Sequence, residues 1–566
     1  MCQCRCFAKM LCTLAVLCFG AQPVIASDAL DFLPQDVDGA VVVTSPERML
    51  ELFAIKELLL EHPEQMADAR EDMLSSIGVD LLDVDAMKEA GIRAGEPLVV
   101  AWLDAPVACG ILVIAGDKST LEHIRSSDEG SRLFAREETV DGKTISLTDD
   151  GAAACFSIGD HIVFVGRSED EGGDLLETVR RLLYGGEPRL TQSQRFRDLQ
   201  NAVKGDADVS VYVGSGAYRS MGRSKFPTPM AGRGLASDES DEIYEALGLD
   251  DMVSLYKAKF LPTQLVVDGY ALHGGKSAIV DWVTPDGDPV PFLEHIAASP
   301  WLANVQRLNG AVAWAALRGV LEATRPDSLP SIDQSLAEMR EEIGIDIEDD
   351  IINQIDGNLG FLIESASMMQ ADATIFLQVR DAKKLETTLG LVAEALNKKM
   401  AKTQTPQGMG GGNEIERVRE RGVRFYRLAM PPMGELCFGE VKGHLVVTAS
   451  TDRYLAIAGG GDGLFGALGD NAVASALRDP TGSVFYLRFE GLASDLAAWA
   501  PMIGPNANPV LELVGSLKDA SGSTTIVKGG MRHQMQLTGA QPGMWKKLAS
   551  FVVESKPHDG GSGETH

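Results

Sequence analysis

The chain has 566 residues, of which 45% are hydrophobic and 23% charged, and its formal net charge is −30. This length predicts more than one domain, and the composition excludes fibrous and wholly disordered classes. So acidic a chain repels nucleic acid and anionic lipid surfaces, and favours solubility, cations or a basic partner.

The first residues read as a leader. "MCQCRCFAK" carries Arg5 and Lys9 without an acid, "MLCTLAVLCFGA" is a short apolar run, and "QPVIAS" places Val24 and Ala26 at the −3 and −1 positions of a cut. This pattern predicts a signal peptide over 1–26, cleavage near Ala26, and a periplasmic or secreted location. A lipoprotein reading is disfavoured, because Leu11 and Leu17 precede Cys12 and Cys18 where a small residue is usual. The leader takes Cys2, Cys4, Cys6, Cys12 and Cys18 with it, leaving Cys109, Cys155 and Cys437. Three cysteines in a large exported chain do not make a disulfide framework. No later apolar run approaches the ~20 residues of a membrane-spanning helix.

From residue 27 onward, helices and strands mix. "SPERMLELFAIKELLLEH" predicts a helix opened by Ser45 and Pro46. "PLVVAWL", "GILVIAG", "HIVFVG", "VSVYVG" and "QLVVDGYAL" are strand-like runs ending at turn residues. "DGKT" at Asp141 predicts a hairpin, and "GGDLLETVRRLLYGG" a helix with Leu175, Leu176, Val179, Leu182 and Leu183 on one stripe. Consecutive strands without intervening helices, as over 143–166, predict an α+β fold with mainly antiparallel sheet.

The same order then recurs. "GAVVVTSPERMLE" after Gly39 is echoed by "GAVAWAALRGVLE" after Gly310, and "SSIGVDLLD" by "EEIGIDIED". "ILVIAGDKSTLE" is matched by "IFLQVRDAKKLE", and "ACFSIGDHIVFVG" by "LCFGEVKGHLVVTA". These matches put Cys155 against Cys437 and His161 against His444, while "VSVYVG" and "SVFYLR" put Tyr212 against Tyr486. Ordered matches predict two homologous tandem domains: 27–285, with a flexible loop at 215–237, and 297–546, with another at 401–414. "TPDGDPVPF" supplies the linker, 286–296, and 547–566 reads as a polar, disordered tail. The first loop holds a basic island of Arg219, Arg223, Lys225 and Arg233, which could dock an acidic partner and reads first as a flexible loop.

At the level of the whole repeat, the chain resembles a class of exported bacterial proteins that share a duplicated α+β domain of unknown function. The signal peptide, "GAVVVTSPERMLE", the helix ending in "IGVD" and the strand–Asp–helix step "ILVIAGDKSTLE" carry this resemblance over most of 30–545. It implies a fold and supplies no catalytic residues.

Chemistry is hard to find in the residues. "HGGKS" at His273 lacks the first glycine of a phosphate loop and reads as a turn. Ser254 and Lys257 have a serine–lysine spacing, but "MVSLYKAKF" predicts a strand, which puts them on opposite faces. His161 and His444 admit a metal or proton-transfer role; without ligands at suitable spacing they read as turn-flanking residues. Cys155 and Cys437 read as small core residues. "DIEDD" and "DGDP" lack the ligand spacing of a calcium loop.

The recurring motif, Gly78 with Asp80, Gly248 with Asp250 and Gly344 with Asp346, reads as a structural turn: glycine ends a helix in the left-handed conformation and the aspartate caps the next segment. "ELVGSLKDA" is a fourth relative, with Gly515 and no matching aspartate. The expectation is an exported binding or interaction protein that is not an enzyme, with no cofactor and no bound metal. A periplasmic carrier of an apolar ligand such as a lipid is the alternative, and a hydrolase with an unrecognised site the second. A protein or an apolar ligand is the expected partner.

Overall fold

Hydrophobic runs of five to nine residues joined by tight turns have one economical solution, which is antiparallel pairing of neighbours. The computed structural model follows it. It describes residues 27–554, except 104–108, 141, 168–174, 185–187, 218–244, 246, 249–250, 275–276, 284–299, 367–370, 404–413, 431–433, 462–481 and 504–506. The predicted leader and linker, the basic island, most of both predicted loops and the end of the predicted tail lie outside these residues. Contacts divide the chain into two units, one from 1–220, 252–272 and 539–566, the other from 221–251 and 273–538. The fold is α+β, with antiparallel sheet packed by helices.

In the first unit the strands are β1 (Gly39–Val43), β2 (Leu98–Leu103), β3 (Cys109–Ala115), β4 (Arg136–Val140) and β5 (Lys143–Leu147), then β6 (Ala153–Ile158), β7 (His161–Arg167), β8 (Val209–Val213), β9 (Val253–Leu261) and β10 (Gln264–Leu272). They pair in the order β4-β5-β6-β7-β3-β2-β1-β8-β9-β10, and the registered pairs are antiparallel. Leu175, Val179 and Leu182 of the predicted stripe are buried in the core with Val99, Ile111 and Phe156. The stretch after Ser45 is two helices, Pro46–Leu52 and Ile55–Glu61, not one. Ala54 breaks it with a φ of 53°, a conformation that disfavours helix continuation.

The second unit has β11 (Leu302–Asn309), β12 (Ile355–Ala366), β13 (Ala371–Val379), β14 (Ile415–Glu420) and β15 (Val423–Ala429), then β16 (Glu435–Val441), β17 (His444–Thr448), β18 (Ser483–Arg488), β19 (Leu517–Val527) and β20 (Gly530–Gly539). Their order is β14-β15-β16-β17-β13-β12-β11-β18-β19-β20, the same connectivity as in the first unit. The matched residues fall at matching places. Tyr212 pairs with Ala40 and Tyr486 with Ala303. His161 pairs with the last residue of β6, and His444 with the last of β16. Asp117 accepts from Ser119 and Thr120 at one helix start, and Asp381 from Lys383 and Lys384 at the other.

The first sequence echo is out of register. Gly39 opens a strand, whereas Gly310 opens the helix Gly310–Thr324, and the strand that pairs like β1 is β11. The shared "GAV" reflects apolar composition, which a strand and a helix can both use.

The chain end also differs from the sequence expectation, which closed the second domain at 546 and began a polar tail at 547. A helix spans Met544–Glu554 and belongs to the first unit. Trp545 is buried, its Nε1 donates to the Leu261 carbonyl at 2.8 Å, and its ring lies 4.5 Å from that of Phe260. Apolar residues at Trp545, Ala549 and Val553 give this segment a packing face that its polar neighbours obscure in the sequence.

Candidate functional site: an open apolar sheet face

The turn motif resolves into local hydrogen bonding. Gly78 has φ 78° and closes the helix Pro63–Ile77; Gly344 has φ 71° and closes Leu329–Ile343. Gly248 has φ 67°, and Asp250 lies outside the described residues. Asp80 is buried, accepts from the Leu82 amide at 2.9 Å and pairs with Arg70 at 2.5 Å. Asp346 accepts from the Asp349 amide at 3.1 Å and pairs with Arg340 at 2.9 Å. Gly515 sits inside the helix Ala507–Ser516, so the fourth relative is no helix stop.

The other sequence candidates are held by the fold. Ser254 and Lys257 lie on β9, and the Lys257 ammonium donates to the Val203 carbonyl at 2.7 Å. Cys109, Cys155 and Cys437 are free and buried, and burial raises all three thiols, that of Cys109 to about 12. A thiol so raised is a poor nucleophile at neutral pH. In the acidic run, Asp350 accepts from the Asp346 amide and pairs with Lys384, both at 2.9 Å. Among the described residues no three His, Cys, Asp or Glu side chains are grouped to hold a metal ion. No described helix is long and apolar enough to cross a membrane.

The two matched histidines have diverged. His161 is half-buried with its ring 5.3 Å from that of Phe32. His444 is fully buried in a polar row, since it pairs with Gln378 on β13, while Arg307 on β11 pairs with Asn358 on β12. Burial pushes the His444 imidazole down to about 4, and the nearby Arg307 charge acts in the same direction.

A difference between the two sheets is the feature that the residues did not announce. In the first unit one row of paired residues runs Val211–Val41–Val100–Leu112–Phe164. Val41, Val100, Leu112 and Phe164 are 6%, 3%, 0% and 2% exposed. The matching row in the second unit, fixed by Ala40 with Tyr212 and Ala303 with Tyr486, is Phe485–Asn304–Phe361–Ile375–Val447. There Phe485, Phe361 and Ile375 are 39%, 36% and 45% exposed. Gly522 pairs with Phe485 and lies beside Met535, 58% exposed, which extends the row onto β20.

Helix packing differs in the same sense. Pro63–Ile77 buries Met66, Ala69, Met73 and Ile77, while Leu329–Ile343 buries no residue and Gly310–Thr324 only Gly310. Leu317 and Met339 on these helices are exposed. Trp314 and Arg318 tie them to Glu348 and Asp333 by bonds of 2.6–3.3 Å. The exposed apolar side chains of this face lie on neighbouring strands. The sequence does carry a signal: "LANVQRLN" alternates Leu302, Asn304, Gln306 and Leu308 on the open face.

No family model matches the chain, and no curated protein does. Among solved structures, crystal form III of TP0453 is similar at a TM-score of 0.25 and 11% identity, covering 44% of this chain and 81% of that one. Crystal form I of TP0453 gives a TM-score of 0.25 and 12% identity, covering 44% and 80%. At that TM-score the likeness carries no argument.

Proposed function

We propose that the chain is an exported, non-enzymatic binding protein whose second unit takes an apolar ligand such as a lipid. One observation carries this reading: the row Phe485–Asn304–Phe361–Ile375 is open in the second unit, while its counterpart is closed in the first. An apolar face left to water costs about 25 cal/mol for each Å² that an occupant would cover. The row from β20 to β13 crosses five strand spacings, about 24 Å at ~4.8 Å each. An acyl chain fills half of a ~30 Å hydrocarbon core, so the row is long enough to hold one lengthwise. The leader over 1–26 supports export, and the shared strand order supports descent of the two units from one duplicated domain.

The test is to express the chain with its leader, purify it from the cell envelope and weigh it by native mass spectrometry. The expected result is a chain lacking its leader, with an added mass that organic extraction removes. Uptake of a hydrophobic fluorescent dye should follow extraction. Bare polypeptide mass, with no uptake of dye or of an added acyl lipid, would overturn the proposal.

A further inference from the structure

Asn304 is the polar member of the open row. Its pairing partners are Phe361 on one flank and Phe485 on the other, and on the same face of β11 its neighbours are Leu302 and Gln306. It is half-buried, and its side chain makes no hydrogen bond to any described residue. At the matching position of the closed row the chain has Val41.

An amide side chain covered by pure hydrocarbon loses its water and gains no partner in return, which is unfavourable. Valine, as in the first unit, avoids that cost. An occupant that carries a hydrogen-bonding group at this point removes it and gains discrimination. The immediate neighbours of Asn304 on this face are Phe361, Phe485, Leu302 and Gln306, none of which carries a charge to attract a carboxylate or phosphate.

We propose that Asn304 is the specificity-determining residue of the apolar site, and that the occupant is a neutral acyl lipid whose ester or amide carbonyl accepts from the Asn304 side-chain Nδ2. This rests on the apolar-ligand reading above and adds the ligand's chemical class. Buried polar groups reject analogues that cannot pair with them far better than apolar pockets reject a missing methylene.

The experiment compares two probes that differ by the carbonyl alone, a C16 monoacylglycerol and its alkyl-ether analogue, each displacing a hydrophobic dye from the full mature chain. Wild type should bind the ester about tenfold more tightly than the ether, the ratio that one such hydrogen bond supplies. Asn304→Val should bind both probes alike and still take up dye. Equal binding of ester and ether by wild type, with dye uptake intact, overturns the role of Asn304 and leaves the apolar site standing. A preference that survives in Asn304→Val does the same. Failure of wild type to take up either probe or dye overturns both proposals.

Discussion

Arg70 and Asp80 meet across the turn at Gly78, with Nε 2.5 Å from Oδ2. The arginine stands on the helix Pro63–Ile77, the glycine ends that helix with φ 78°, and the buried aspartate also accepts from the Leu82 amide. Arg340, Gly344 and Asp346 repeat the arrangement in the second unit. The motif is a helix stop fastened by an ion pair, and its two copies differ in how tightly they are enclosed.

That difference predicts unequal glycine substitutions. A Cβ at Gly78 would lie 3.1 Å from the Gly130 backbone, whereas one at Gly344 meets nothing within 4 Å. Both alanine variants must adopt positive φ, at a cost of about 1–2 kcal/mol each. Gly78→Ala should cost more in urea unfolding than Gly344→Ala, because backbone must also shift. Equal costs would contradict this account.

Asp80 supplies a second contrast. Asp80→Ala leaves the buried Leu82 amide without its acceptor and should destabilise the first unit by about 1–3 kcal/mol. Asp80→Asn retains an oxygen for that amide and should lose less. Thermal melts of the two variants separate hydrogen bonding from charge.

Trp545 ties the chain end to the first unit. Trp545→Ala removes a buried ring packed on Phe53 and Phe260, and should cost about 3–5 kcal/mol. Amide exchange should accelerate in 27–220 and 252–272 in this variant. If exchange accelerates only within 302–538, the helix Met544–Glu554 has been assigned to the wrong unit.

His444 gives a pH dependence with a definite sign. Its folded-state pKa is about 4, below the 6.5 of an exposed histidine, so between these values the unfolded chain binds more protons. Stability from this group is therefore complete above about pH 6.5, falls as the pH drops, and has reached its floor below about pH 4, a change on the order of 3 kcal/mol. In His444→Phe this part of the pH dependence should vanish. Melts of wild type and variant between pH 4 and 7, compared as a difference, isolate it from the carboxylates.

The open and closed rows predict opposite responses to one substitution. Val100→Ser places a hydroxyl in a covered face and should cost about 2 kcal/mol or more. Met535→Ser, on the open face and 58% exposed, should cost clearly less than Val100→Ser while lowering dye uptake, and an equal loss of stability in the two variants would mean that the face is covered in solution.

Local physics made much of this protein legible in its residues. Runs such as "GILVIAG" and "HIVFVG" can form little other than buried strands, and tight turns between strands force antiparallel pairing. Glycine at 78 and 344 reflects the left-handed helix stop, and the helix-starting aspartates at 117 and 381 reflect capping. The order of these local signals sufficed for the α+β class. Three features depended on tertiary structure. The strand equivalent to β1 is β11 rather than the "GAV" echo at 310, because pairing is decided by distant neighbours and not by composition. The helix Met544–Glu554 joins the first unit, because its partners Leu261 and Phe260 lie nearly three hundred residues away. The open row around Asn304 was hidden because an apolar strand residue reads the same whether it is covered or not; its exposure depends on what packs over the sheet, which only the tertiary structure decides.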